Sequence, residues 1–525
     1  MIEERLNIYH SLIVGKVPLI LSLQDREEFS PTYGCFDRTY WQWKFIDFPD
    51  ARLQEALFTL SYIYSNNFKG NIYYRNEKIL KWIKAGFLFW AKIQHRDGSF
   101  DEAYPYERSF VATGFTLFYL TEAHFLISKY FDKEIQNKIL SSFRKAGDWL
   151  VKNNETHAFI SNHKLGTSAA LFNLSKILQE KKYEDRCWNI WRSVKKRQSV
   201  DGWFSEYGGA DIGYLTQAIY YASVLYKRSL NPEIIVSLGR ALDFIKYFIH
   251  PNGTIGGEYG SRNTGFYFPG GFEILAKYIP VAEAICKKLI SSVTENKIPC
   301  IGTVDVYNMV PILNSVVSGC LFYFSDSTTN NEKELLPCLT KSDFVKNFDD
   351  FKILVKKIGK LYIIIGITKG GVLKVYDTEK NILINSSVGI FGKIRGKVIT
   401  SQSIHRHGLE IKINNDMVII KGDLIFANYS LLSPPKMIIL RLLSLLNSRI
   451  PILSKYLKKF IVNTLILKNQ PVGARFKRII YLDPKDNIRV ITDTIGISSS
   501  LFKEMEIHSS FHMGSSKYYK ISDIF

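Results

Sequence analysis

The 525-residue sequence predicts a multidomain α-then-β protein: an N-terminal (α/α) toroid of helical hairpins followed by a C-terminal antiparallel β-sandwich. Three observations lead there. A glycine turn recurs along the first half of the chain, apolar stretches of helical period flank its copies, and beyond about residue 340 short Ile- and Val-rich runs replace both. The length exceeds what one compact core organises. With 46% hydrophobic and 22% charged residues, the composition is that of a globular protein and excludes a disordered tail, a collagen or a coiled coil.

Residues 1–44 form a lead-in. Glu3 and Glu4 stand where an export signal needs positive charge, and the apolar stretch 12–23 is interrupted by Lys16 and Pro18. Neither an export signal nor a spanning helix is expected.

Residues 45–290 carry the repeats. Gln94-His95-Arg96-Asp97-Gly98-Ser99-Phe100 is echoed by Gln198-Ser199-Val200-Asp201-Gly202-Trp203-Phe204, and His250-Pro251-Asn252-Gly253-Thr254 keeps the turn without its aromatic residue. The first interval is about twice the second, so a degenerate copy belongs near residue 150, where Lys152-Asn153-Asn154-Glu155 stands. Helical stretches precede turns at 79–93, 139–151 and 235–249 and follow them at 110–130, 166–178 and 214–226. A unit of about fifty residues holds two helices and two loops. About five or six such hairpins bury their apolar faces by closing into a toroid or by stacking as an open solenoid. Either way the glycine turns gather on one rim, where a groove can form.

Residues 291–345 read as a connector and 346–525 as the sandwich. Strands are predicted at 351–355, 361–367, 372–376, 382–384, 398–400, 409–413, 417–420, 476–482, 488–492 and 517–521, separated by Gly, Asn and Asp turns. The insertion 436–468 departs from this pattern. It holds Lys436, Arg441, Arg449, Lys455, Lys458, Lys459 and Lys468, no acidic residue, and a Leu/Ile-rich run broken at Pro451. Two basic amphipathic helices follow, too short to span a bilayer and suited either to an anionic membrane surface or to packing on the sandwich.

The chain has 69 Lys and Arg against 49 Asp and Glu, a net charge of +20, and residues 301–525 hold 31 of the basic residues and 18 of the acidic. Such a field favours a polyanion: an acidic polysaccharide, a nucleic acid or an anionic membrane. No nucleic-acid reader module is recognisable, so nucleic acid is not expected. Aromatic residues at 14% suit sugar stacking as well as core filling. Six scattered cysteines without a Cys-x-x-Cys pair make neither a disulfide framework nor a zinc site, and fit a reducing compartment. The expected location is cytoplasmic, with 436–468 able to hold the protein at the inner face of the membrane.

No phosphate-binding glycine loop, His-Glu-x-x-His pair or Gly-x-Ser-x-Gly elbow is present. The aromatic glycine turns resemble those of terpene cyclases, without the accompanying Asp-rich acid motif. What remains lies on the rim. Ser161-Asn162-His163-Lys164-Leu165-Gly166-Thr167 opens a helix, where Asn162 taken alone is an N-cap and His163 a surface ring. The next turn presents Glu206, Tyr207, Asp211 and Tyr214; the third presents Glu258, Tyr259, Arg262, Asn263 and Tyr267. A lone rim tyrosine is a packing residue. Three consecutive turns offering amide, imidazole, phenol and guanidinium groups make a candidate site.

A helical-repeat domain, an Asn-His pair opening a helix, a later glycine turn with Tyr214 and a sandwich with His-rich loops together resemble the heparinase II/III-like polysaccharide lyases. The likeness runs from about residue 30 to the end. It rests on Asn162-His163, Tyr214, His405-Arg406-His407 and the cluster from His508 to His512. The resemblance implies β-elimination across carbons 4 and 5 of a uronate in an acidic polysaccharide, linked to bacterial or archaeal surface-polysaccharide metabolism, without metal or organic cofactor. Asn162, with His163 or Arg262, would neutralise the carboxylate and stabilise the enolate-like intermediate. Tyr214, His163 and a β-domain histidine, His405 or His407, would move the protons, each transfer contributing about 10²–10⁴-fold. A free phenol titrates near ~10, so a basic Tyr214 needs positive charge nearby. Tyr207, Tyr259, Arg262, Asn263, His508 and His512 would bind the chain. Two alternatives remain: a uronate 5-epimerase using the same proton abstraction, and a non-lytic membrane-associated factor in surface-polysaccharide biosynthesis.

Overall fold

One set of helices is apolar all round and another on one face only, and that difference builds a two-layered ring. The computed structural model describes residues 2–322, 334–394, 397–402, 409–414, 416–427, 432–450, 452–465, 470–482 and 488–495. In chain order the first helices are α1 (Ile2–Leu23), α2 (Arg38–Trp41), α3 (Ala56–Ser65), α4 (Glu77–Ile93), α5 (Phe110–Ile127), α6 (Lys133–Lys152) and α7 (Ser161–Leu178). They continue with α8 (Lys181–Lys195), α9 (Ile212–Ser229), α10 (Pro232–Ile245), α11 (Pro269–Leu275), α12 (Pro280–Thr294) and α13 (Val306–Phe322). Helix α5 packs on α3 and α7, α9 on α7 and α11, and α13 on α11 and back on α3, so the inner helices close a ring. The expected toroid forms, and the open solenoid does not.

Inner helix α5 is buried continuously from Phe110 to His124, whereas outer helix α6 buries only one stripe through Ile139, Phe143, Ala146 and Leu150. Helices α1 and α13 are ring members lying in segments expected to be lead-in and connector. Each contains a proline, Pro18 and Pro311, a residue that lacks a backbone donor and reads as a helix breaker in sequence. Helix α1 completes the outer layer against α13 and α3. The segments Glu3–Leu23 and Phe110–Tyr130 are each long and apolar enough to cross a membrane. In this fold the second is a core helix, and the first is docked by Arg5, which pairs with Glu273 at 3.2 Å and Glu283 at 2.7 Å.

The repeated turns are structurally alike. Gln94 Nε2 donates to the carbonyls of Gly98 and Ser142, and Gln198 Nε2 to those of Gly202 and Ser237. In all three copies the first turn residue donates its N–H four residues ahead: His95 to Ser99, Ser199 to Trp203 and His250 to Thr254. Gly202 has φ +105°, and a Cβ there would lie 2.2 Å from the Arg240 carbonyl oxygen, so conformation and helix contact both require glycine.

The strands are β1 (Phe344–Phe348), β2 (Ile353–Ile358), β3 (Leu361–Gly366), β4 (Val372–Asp377), β5 (Ile382–Ser387), β6 (Phe391–Ile394), β7 (Lys397–Thr400), β8 (Glu410–Asn414), β9 (Met417–Phe426), β10 (Gln470–Leu482) and β11 (Ile488–Ile495). β1 to β5 form one antiparallel meander; β11-β10-β9-β7-β6 form the second sheet, with β8 also on β9. Strands β1 and β6 lie outside the predicted set, and the strand expected at 517–521 lies outside the described residues.

Ile363, Ile365, Leu373 and Val375 face the second sheet's Val418, Ile420, Phe476 and Ile480. Ile353, Val355, Tyr362, Ile364 and Tyr376 instead join the core of the toroid. Strands β2 to β4 are therefore covered on both faces, which explains their near-continuous burial, whereas β1 and β5 at the sheet edges stay largely exposed. Helices α14 (Pro434–Arg449) and α15 (Ile452–Leu465) form the basic hairpin.

Candidate active site

Every loop that leads from an outer helix into an inner one lies on the same rim, and these loops carry the candidate side chains. Asn162 and His163 open α7, and Tyr214 stands in the first turn of α9. Asp211 caps α9: its carboxylate accepts the backbone N–H of Tyr214 at 3.1 Å and of Arg262 at 2.8 Å, and also bonds the Thr264 hydroxyl. One buried carboxylate thus ties the Tyr214 helix to the Arg262 loop. Glu206 does the same between neighbouring turns, accepting the Asn162 backbone N–H at 2.9 Å and its Nδ2 at 3.1 Å.

The electrostatics are uneven. Burial pushes the Glu206 carboxyl up to about 8 against the two Asn162 bonds, so it is mainly protonated at neutral pH. Burial would also raise Glu155, but His163, 2.8 Å away through Nδ1, and His157 hold it below the usual carboxylate range. His157 is pushed down to about 4 by burial and is neutral at pH 7. With Nδ1 of His163 directed at Glu155, its Nε2 is left for chemistry in the cavity. Arg262 stacks its guanidinium 4.7 Å over the Tyr207 ring, and among the described residues its buried Nε has no hydrogen-bond partner. Arg52 pairs with Glu55 at 2.8 Å and sits 5.0 Å over the Phe115 ring.

These groups converge on one cavity of about 800 Å³. Arg52, Asn162, His163, Tyr207, Tyr214 and Arg262 line its toroid side, and Lys436, Leu440, Leu443, Leu457 and Lys458 of the α14–α15 hairpin line its roof. A smaller recess of about 70 Å³ shares Arg52, Asn162, His163 and Tyr214 and adds Gln217. The roof is pinned by Lys458 to Glu107 at 2.7 Å and by Arg441 to Asp47 at 3.1 Å. Burial opposes charge on Lys458, yet Glu107 and Glu102 outweigh it and raise its pKa.

Five of the predicted residues, Asn162, His163, Tyr207, Tyr214 and Arg262, are brought together. Two are not. Tyr259 is fully buried with its hydroxyl 2.8 Å from His250 Nε2, and the β3 backbone at Gly366 packs against it. Asn263 is buried away from the cavity and donates Nδ2 to Gln402 at 2.7 Å, bridging the rim to the region after β7. Both hold the toroid against the β-domain. His405, His407, His508 and His512 lie outside the described residues. Arg52, Glu102, Glu107, Glu155 and His157 were missed. For Glu155 the degenerate fourth turn was the available signal.

Residues 47–271 match the ulvan lyase N-terminal domain family. No curated protein matches the chain by sequence. Among solved structures the chain is similar to heparinase III, with a TM-score of 0.50 and 9% identity, covering 85% of this chain and 63% of that one. It is also similar to a Paenibacillus xanthan lyase (TM-score 0.47, 10% identity, 81% of this chain and 46% of that one). A third is the Streptomyces coelicolor A3 chondroitin AC lyase in complex with chondroitin sulphate (TM-score 0.45, 10% identity, 71% and 62%). This chain therefore spans less than two thirds of each of these lyases. The heparinase III likeness is one of fold, a helical part followed by a β-domain. The matched domain contains the rim with Asn162, His163, Tyr214 and Arg262, so the part of the chain that holds the candidate site, residues 47–271, is the part that is similar to the ulvan lyase N-terminal domain.

Proposed function

We propose that the protein cleaves a uronic-acid-containing acidic polysaccharide by β-elimination in the cavity between rim and hairpin. The observation that carries the reading is the convergence of Asn162, His163 and Tyr214 with Arg52 and Arg262 on one wall. The ulvan in the name of the family that residues 47–271 match supports a polysaccharide substrate, and the cationic wall supports an acidic one.

In this reading Asn162 and Arg262 hydrogen-bond the uronate carboxylate, stabilising the charge that develops as carbon 5 loses its proton. Glu206 is the positioning residue for Asn162. Tyr214 takes the carbon-5 proton, the electron pair becomes the carbon 4–carbon 5 double bond, and the bond from carbon 4 to the bridging oxygen breaks. His163, its Nδ1 held by Glu155, delivers a proton to the departing oxygen.

The test is ultraviolet absorbance of the unsaturated uronate during incubation with ulvan, heparan, hyaluronan, chondroitin, alginate and bacterial acidic capsules. Absorbance rising with one polymer establishes elimination. Solvent deuterium entering carbon 5 of intact polymer without cleavage replaces the reading with 5-epimerisation.

A further inference from the structure

The α14–α15 hairpin is amphipathic the wrong way round for a protein surface. Helix α14 buries Ser444 and Asn447, each 1% exposed, while Ile438, Leu442 and Leu445 on the opposite face are 62%, 58% and 58% exposed. Those three positions recur at helical spacing and form one stripe. On α15 Ser454 is buried, and Tyr456 and Phe460 stand 68% and 66% exposed. A soluble monomer rarely leaves so continuous an apolar band in water.

The charges around the band identify what covers it. Residues 434–465 contain no Asp or Glu. Arg441 and Lys458 are committed to Asp47 and Glu107 and Lys436 lines the cavity roof, whereas Arg449, Lys455 and Lys459 are exposed and form no ion pair among the described residues. A second copy on this face would set the same cations against each other, which opposes association. An anionic lipid surface satisfies both features: apolar side chains enter the acyl boundary, aromatic rings sit at headgroup level, and lysines meet phosphates.

We propose that the hairpin is a monotopic membrane-docking element that seats on an anionic bilayer. Its inward side roofs the cavity and Phe460 stands at the cavity edge, so docking places that cavity at the lipid surface. The inference rests on the hairpin's exposed face and does not depend on the reaction proposed above.

Flotation of the full chain with vesicles tests it without reference to activity. The protein is expected to float with phosphatidylglycerol/phosphatidylcholine vesicles at low salt, to be released as salt rises, and to stay behind with phosphatidylcholine alone. The variant Ile438→Ser/Leu442→Ser/Leu445→Ser removes three inserted side chains and is expected to lower partitioning by about tenfold or more. Lys455→Glu/Lys459→Glu is expected to abolish the preference for anionic lipid. Unchanged thermal midpoints for both variants show that the fold survives. Failure of the wild type to float at low salt overturns the proposal, as does flotation of the triple variant at wild-type level. A dimer in solution that the triple variant converts to monomer, without flotation, assigns the face to a second copy instead.

Discussion

Glu206 grips Asn162 twice, through the backbone N–H and the side-chain Nδ2, across 44 residues of sequence. Its carboxyl is raised from 4.5 to about 8, so between those values the folded protein binds a proton that the unfolded chain releases. Stability attributable to this group therefore falls as pH rises through the window, by up to ~1.4 kcal/mol per unit. Glu206→Gln removes the titration. Denaturant midpoints at pH 5 and pH 8 are expected to fall further for the wild type than for the variant, and parallel slopes would contradict the assignment.

His163 depends on Glu155 for its tautomer. Glu155→Gln keeps the size but reverses the hydrogen-bond preference at Nδ1, and kcat on the cleaved polymer is expected to drop roughly 10²–10⁴-fold with little change in KM. A variant with wild-type kcat would remove His163 from the proton transfers.

Tyr214→Phe deletes one hydroxyl from the cavity wall. Turnover is expected to fall by at least about 10²-fold while the thermal midpoint stays within a few degrees of wild type. Full activity would sink the role given to Tyr214.

Tyr259→Phe provides the contrast. Losing the buried bond to His250 is expected to cost about 1 kcal/mol in denaturant unfolding and to leave kcat and KM unchanged. A large loss of kcat with retained stability would return Tyr259 to the substrate groove.

Gly202 and Gly208 both have positive φ, but a Cβ at Gly208 meets nothing within 4 Å. Gly208→Ala is expected to cost about 1–2 kcal/mol from backbone strain alone. Gly202→Ala adds a clash with the Arg240 carbonyl and is expected to cost at least twice as much. Equal denaturant midpoints would show that the turn yields to the added methyl group.

The ring was legible because its turns repeat Gln, Gly and an aromatic residue at positions with fixed backbone duties, as Gln94 and Gln198 show. Asn162, His163 and Tyr214 were legible because each opens an inner helix just after such a turn. Helices α1 and α13 were hidden by Pro18 and Pro311, which the surrounding packing tolerates. Glu155, Arg52 and Glu107 were hidden because their environment comes from partners in other elements, His163, Phe115 and Lys458. Tyr259 misled for the opposite reason: it sits in the rim turn, but the first sheet, absent from any local pattern, covers it.

Arg5 reaches Glu273 across 268 residues of sequence and Glu283 across 278. Helix α1 is therefore synthesised long before the partners that seat it. At roughly 5–20 residues per second, a ribosome leaves Tyr9, Ile13, Val17 and Ile20 without their native cover for tens of seconds. Loop-closure cost grows only with the logarithm of length, so this order of assembly affects the rate of maturation far more than final stability. The nascent chain carries this uncovered apolar helix throughout, and its yield in a cell depends on what shields the helix until the ring closes.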